Sequence, residues 1–130
     1  MTQLDFRDKF EDNPAIRGRE DRFIVVEAKI APILASWRES LFAHEWLLPD
    51  GTIKTMTDMT AEMRERRHLI EIQLQNSQPL QRPVLGIGIT DNVEIGAGRD
   101  LLLHLASKGI KTIPVHIPKS HKDDFRIFIS

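Results

Sequence analysis

Residues 80–117, LQRPVLGIGITDNVEIGAGRDLLLHLASKGIKTIPVHI, constrain the fold more than any other part of the chain. Their hydrophobic period changes from that of a strand to that of a helix and back, with turn-forming residues at the changes. Pro83-Val84-Leu85-Gly86-Ile87-Gly88-Ile89 is apolar at alternate positions and almost without interruption, which predicts a strand buried on both faces. Asp91-Asn92 marks a turn, and Val93-Glu94-Ile95 a short partner strand. A Leu-rich helix is expected over 99–108, with Gly109 as its C-cap. Lys111 to Ile117 closes the unit as a strand whose Pro114 favours an edge or a strand start. This order predicts an α/β (α+β) domain, a small mixed sheet flanked by helices.

The corner Gly96-Ala97-Gly98-Arg99-Asp100 falls where a strand ends and a helix begins. Backbone amides at a helix N-terminus converge there on any anion that reaches them, a geometry that suits phosphate. The two glycines would let backbone approach such a ligand, although a strand-to-helix turn requires positive φ by itself. Arg99 is unfavourable for the helix dipole, which points to an anionic ligand, with a solvated surface side chain as the alternative, whereas Asp100 satisfies the dipole as an ordinary first-turn acid. Glu94, just before the corner, is the candidate acid/base, or the group that would hold magnesium opposite a nucleotide. A solvated strand-edge glutamate needs no such role.

Upstream, residues 1–22 carry six acidic and five basic side chains around Asn13-Pro14 and are expected to form a mobile arm or one short surface helix, leaving 23–130 as the domain. Phe23 to Ala28 reads as the first strand. Pro32 and the spacing of Ile33, Leu34, Trp37, Leu41 and Trp46 predict a helix over 31–47, ended by the turn Pro49-Asp50-Gly51. A second helix, capped by Thr57 or Asp58, has Met59, Met63, Ile70 and Leu74 on its apolar face, with Arg64, Arg66, Arg67 and Glu71 expected largely elsewhere. The tail Phe125-Arg126-Ile127-Phe128-Ile129 alternates like a strand.

Composition narrows the function classes. A net charge of −1 over 130 residues gives no cationic field for non-specific nucleic-acid binding. The absence of cysteine excludes disulfides, thiolate metal sites and cysteine nucleophiles. No apolar run is long enough to span a membrane or serve as a signal peptide, so a cytoplasmic location is expected. His104, His116 and His121 with Asp123 and Asp124 match no ligand spacing of a metal site, and none is expected. Arg64, Arg66, Arg67 and His68 are interleaved with Glu62, Glu65 and Glu71 and read as a solvated helix face. Trp37, Phe42 and Trp46 read as core, with an exposed partner groove as the alternative.

The Pro-Val-Leu strand, Glu94-Ile95 before a glycine corner, the short helix and Gly-Ile-Lys-Thr-Ile-Pro-Val at residues 109–115 together resemble the ParB/sulfiredoxin-like family over about 40 residues. The resemblance implies a Gly-x-x-Arg box whose glycine and arginine contact nucleotide phosphates. Two registers compete: Gly98-Arg99-Asp100-Leu101, which puts leucine at the arginine position, and Gly96-Ala97-Gly98-Arg99, which keeps the arginine. Sulfiredoxin chemistry is excluded, since it requires a cysteine. The family's partition proteins also carry a helix-turn-helix reader and a dimerisation segment, neither of which these 130 residues are expected to hold. The resemblance thus implies a stand-alone nucleotide- or phosphate-binding domain of a bacterial, plasmid or phage protein, with a nucleotide and magnesium as the candidate cofactor and hydrolysis of a nucleotide or phosphodiester as the candidate reaction. The alternative is a non-catalytic domain that lost the box arginine and dimerises or meets a protein partner through its tryptophan-bearing helix.

Overall fold

The computed structural model describes residues 9–40, 43–50, 52–89 and 91–129. Leu41, Phe42 and Gly51, on which parts of the expected helix, core and turn rest, lie outside them. Six strands and three α-helices follow one another along the described chain: β1 (Phe10–Glu11), β2 (Phe23–Lys29), α1 (Ile30–Trp37), α2 (Ala61–Gln75), β3 (Leu80–Gln81), β4 (Val84–Ile87), β5 (Val93–Ala97), α3 (Arg99–Ser107) and β6 (Thr112–Pro118). The main sheet has the order β2-β6-β4-β5, with β4 and β6 parallel and the other neighbours antiparallel. This is the mixed α/β architecture expected from the alternation of periods.

Pro114 is the informative exception, because it lies in a strand with neighbours on both sides. Backbone amides on one edge of a strand recur every second residue, and the His116 amide donates to the Pro83 carbonyl at 2.9 Å. Pro114 therefore directs its nitrogen to that same side, two residues before β4 begins opposite His116. The missing N–H falls where β6 has only β2 as a neighbour, so no ladder bond is lost.

The helices cover the sheet with a continuous apolar core. Ile33, Trp37, Trp46, Leu102, Leu103, Leu105, Ile113, Val115, Ile117 and Phe125 are all buried. Both tryptophans belong to this core, so the exposed tryptophan groove is not formed. The first helix is shorter than 31–47: α1 stops at Trp37, a turn follows, and a 3₁₀ turn at Ala43–Glu45 delivers Trp46. The cap of α2 is Thr60, whose hydroxyl accepts from the Met63 amide at 3.2 Å; Asp58 instead closes the preceding 3₁₀ turn with Thr55. The expected terminal strand is a 3₁₀ turn at Arg126–Phe128 with a single bridge from Ile129 to Ala28. Its alternation is produced by a turn that buries Phe125 and Phe128 and leaves Ile127 exposed.

The segment read as an N-terminal arm is docked over its described part. β1 pairs in parallel with β3, and Ile16 is buried. Asn13 makes the joint: its amide donates to His116 Nε2 at 3.2 Å, its Nδ2 donates to the Arg82 carbonyl at 3.0 Å, and its Oδ1 accepts from the Ala15 amide at 2.9 Å. The charge-rich composition obscured this because, among the described residues of the segment, only Phe10, Asn13 and Ile16 turn inward.

Candidate functional site

The corner is built by one residue. Gly96 and Ala97 belong to β5, whose register against β4 shifts at Gly96, and precede the bend. Gly98 makes it, with φ 79° and ψ 21°, and stands as the N-cap of α3 with its carbonyl accepting from Leu102 at 3.1 Å. A Cβ at Gly98 would lie 2.8 Å from Pro83 Cα, so both the positive φ and the close approach of backbone demand glycine. No side chain caps the first turn of α3.

This uncapped corner opens on a cleft of about 310 Å³ lined by Asn13, Gln73, Pro79, Leu80, Gln81, Ala97, Gly98 and Leu101. No lining side chain is charged. Of the predicted phosphate-binding residues, Ala97 and Gly98 line the cleft, while Gly96, Arg99 and Asp100 do not. Arg99 instead lies 4.0 Å from Glu45, which is 3.8 Å from Arg66, and Arg66 is 3.6 Å from Asp100. The two side chains after the corner are thus part of a partly exposed charge cluster between the 3₁₀ turn, α2 and α3. With the bend at Gly98 and the helix starting at Arg99, Leu101 occupies the arginine position of the Gly98-Arg99-Asp100-Leu101 register and faces the cleft.

Glu94 is separated from this corner. Its Oε2 accepts from Asn92 Nδ2 at 3.1 Å beside the β4–β5 turn, and a Cβ on Gly88 would lie only 2.9 Å from its Cγ. Four residues of strand put it about 13 Å from Gly98, beyond the reach of a glutamate side chain. Asp91, at φ 62°, is a left-handed turn residue of the same hairpin. The expected pairing of acid and phosphate site is not made.

Sequence reasoning missed the principal buried polar network. Arg67 is 8% exposed, and its guanidinium lies 5.4 Å from the Trp46 ring centroid. Its Nε donates to His104 Nδ1 at 3.1 Å and its Nη2 to Ser107 Oγ at 2.8 Å. Because Nδ1 accepts, Nε2 of neutral His104 carries the proton and donates to Glu71 Oε2 at 2.6 Å; Lys108 meets the other Glu71 oxygen at 2.8 Å. The set joins α2 to α3 behind the corner. Both nitrogens of His104 are committed, and Ser107 Oγ donates to the His104 carbonyl at 2.6 Å, so the arrangement offers no free base or nucleophile. The signal was available: Met63, Arg67, Ile70 and Leu74 lie at steps of four, three and four, which places the arginine on the buried stripe.

Burial holds His104 below its ordinary value of 6.5, with Arg67 and Lys108 adding to the effect and Glu71 opposing it. His116 is likewise lowered, by burial first and then by Arg82, against the pull of Asp12. The unfolded chain therefore binds protons at a pH where the folded chain does not. Stability is full above about pH 6.5 and falls as pH drops through the two folded values, by up to roughly 1.4 kcal/mol per pH unit for each histidine. Urea midpoints measured from pH 8 to 5 are expected to decline only below about 6.5. A flat profile would show that neither imidazole is buried neutral. His104→Gln and His116→Gln assign the two contributions.

Among the described residues no group of three or more His, Asp or Glu side chains could hold a metal, and no helix is long and apolar enough to cross a membrane. Comparison of the chain with protein-family models, curated proteins and solved structures returns no match.

Proposed function

We propose that the chain is a cytoplasmic binding domain for a phosphate-bearing small molecule, a nucleotide or a fragment of one, held at the start of α3. The observation that carries this reading is the uncapped, left-handed Gly98 corner opening on a cleft with no competing acid. First-turn amides supply donors and the positive end of the helix dipole, and the carboxamides of Asn13, Gln73 and Gln81 stand around them. A volume of about 310 Å³ lies at the small end of ligand sites and suits one phosphate with a compact group attached. The distance of Glu94 from the corner favours binding without hydrolysis. The resemblance to ParB/sulfiredoxin-like domains supports the same place for the ligand, with Leu101 in place of the box arginine.

A ligand that binds only the folded state at 100 times its Kd stabilises by about 2.7 kcal/mol. For a domain of this size that raises Tm by roughly 10 °C. Thermal shift with nucleoside mono-, di- and triphosphates, with and without magnesium, is expected to give such a rise. Leu101→Arg would return a guanidinium to the cleft and should tighten binding about tenfold by calorimetry. Absence of a rise with every nucleotide, together with no gain from Leu101→Arg, contradicts the proposal.

A further inference from the structure

On a different part of the molecule, a groove of about 540 Å³ runs between the first turn of α1 and the C-terminal end of α3. Its walls include Pro32, Leu34, Ile53, Ala106 and Ile110, all partly exposed and all aliphatic. It holds no aromatic and no acidic side chain. Lys29, the last residue of β2, and Lys111, just before β6 begins, both line it, and the Ile30 amide donates to the Lys111 carbonyl at 2.9 Å. Both lysines are exposed, and neither forms an ion pair among the described residues. The first turn of α1 carries no acid and no side-chain cap, so the positive end of its dipole adds to the charge of the lysines.

We propose that this groove binds a medium-chain fatty acid, with the alkyl chain along the aliphatic wall and the carboxylate between Lys29 and Lys111. The charge pattern selects this occupant. A peptide would bring amides at every residue, and the aliphatic wall gives them little to bond. An alkyl carboxylate concentrates its polarity at one end and carries the charge that the two lining lysines complement. The volume lies within the usual range of small-ligand sites. Snorkelling lysines bury their stems on the wall while their charged heads meet the carboxylate at the water boundary.

Calorimetric titration of the full chain with hexanoate, octanoate and decanoate, each below its aggregation concentration, tests this. The expected result is saturable one-to-one binding whose affinity rises roughly fourfold per methylene buried. Lys29→Gln combined with Lys111→Gln should weaken decanoate about tenfold, as loss of charge-assisted hydrogen bonds does, with Tm of the free protein unchanged because both side chains are exposed. Decanol should bind at least tenfold more weakly than decanoate. Any of the following overturns the proposal: no saturable binding of decanoate, an affinity independent of chain length, or equal binding of decanoate by the double variant. Self-association through this face, insensitive to decanoate, does so as well, because a second copy would then be its occupant.

Discussion

Arg67→Ala is expected to destabilise the fold by about 3–5 kcal/mol, the range seen when one member of a buried, hydrogen-bonded charged set is removed. The variant loses the donor to His104 Nδ1, the donor to Ser107 Oγ and the contact over the Trp46 ring at once. Truncation also leaves a cavity at the α2–α3 interface that its neighbours fill only partly. Urea unfolding at pH 7.5 measures the loss. Arg67→Lys separates charge from geometry, since a lysine restores the charge but cannot donate along two directions from one planar group, and most of the destabilisation should persist. A loss under 1 kcal/mol for Arg67→Ala would mean that the guanidinium is solvated and the network is not formed.

Gly98→Val is expected to cost about 3 kcal/mol. Of this, about 1–2 kcal/mol is the penalty for an L-residue in the left-handed region, larger still for a β-branched side chain. The remainder comes from displacing Pro83, whose Cα lies 2.8 Å from where the new Cβ must go, and overpacking of this kind costs about 1–3 kcal/mol. Gly96→Ala is the control. Its Cβ would meet only the Val84 carbonyl oxygen at 3.5 Å, an ordinary contact, so the change should stay within about 0.5 kcal/mol of the parent. The pair distinguishes a glycine that the bend requires from one that merely precedes it. Equal costs at the two positions would place the bend elsewhere than at Gly98.

The legibility of the chain followed from how local each signal is. Between Pro83 and Ile117, turn residues and changes of period occur within a few positions of one another, and the hairpin, helix and Gly109 terminus stand where the sequence puts them, Gly109 with φ 84° and its amide on the Ala106 carbonyl at 3.0 Å, whereas the strand expected over 83–89 with both faces buried ends at Ile87, with Leu85 buried and Ile89 exposed. The errors arose where tertiary contacts decide. Pro114 reads as an edge or strand-start residue and lies third in an inner strand, because strand ends are staggered and its nitrogen meets no partner. Phe125 to Ile129 alternates yet turns as a 3₁₀ segment, since two phenylalanines, with ring centroids 5.7 Å apart, take the buried positions. Asn13 is a short polar residue in a charged run, and only the partners brought by β3 and β6 explain its burial.

The candidate site was legible in part. Gly98 is marked by its own sequence, but its near neighbours, contiguous in sequence, do not share one pocket. A helix start separates contiguous side chains by about 100° per residue, so Arg99 and Asp100 turn to Glu45 and Arg66 while Leu101 faces the cleft. The carboxamides of Gln73 and Gln81 come from distant elements, and nothing in their local sequence marks them as neighbours of the corner. Arg67 was the reverse case, since its spacing was plain and its charge argued for the surface against the stripe it occupies.

Amide chemical-shift mapping during titration with a nucleoside monophosphate examines the α3 corner at the level of single N–H groups. The account predicts saturable shifts largest at Gly98 to Leu101 and at the side-chain amides of Gln73 and Gln81, with the sheet amides of Gly96 nearly still. Perturbations confined to other surfaces, or none at a concentration that saturates a millimolar site, would contradict it.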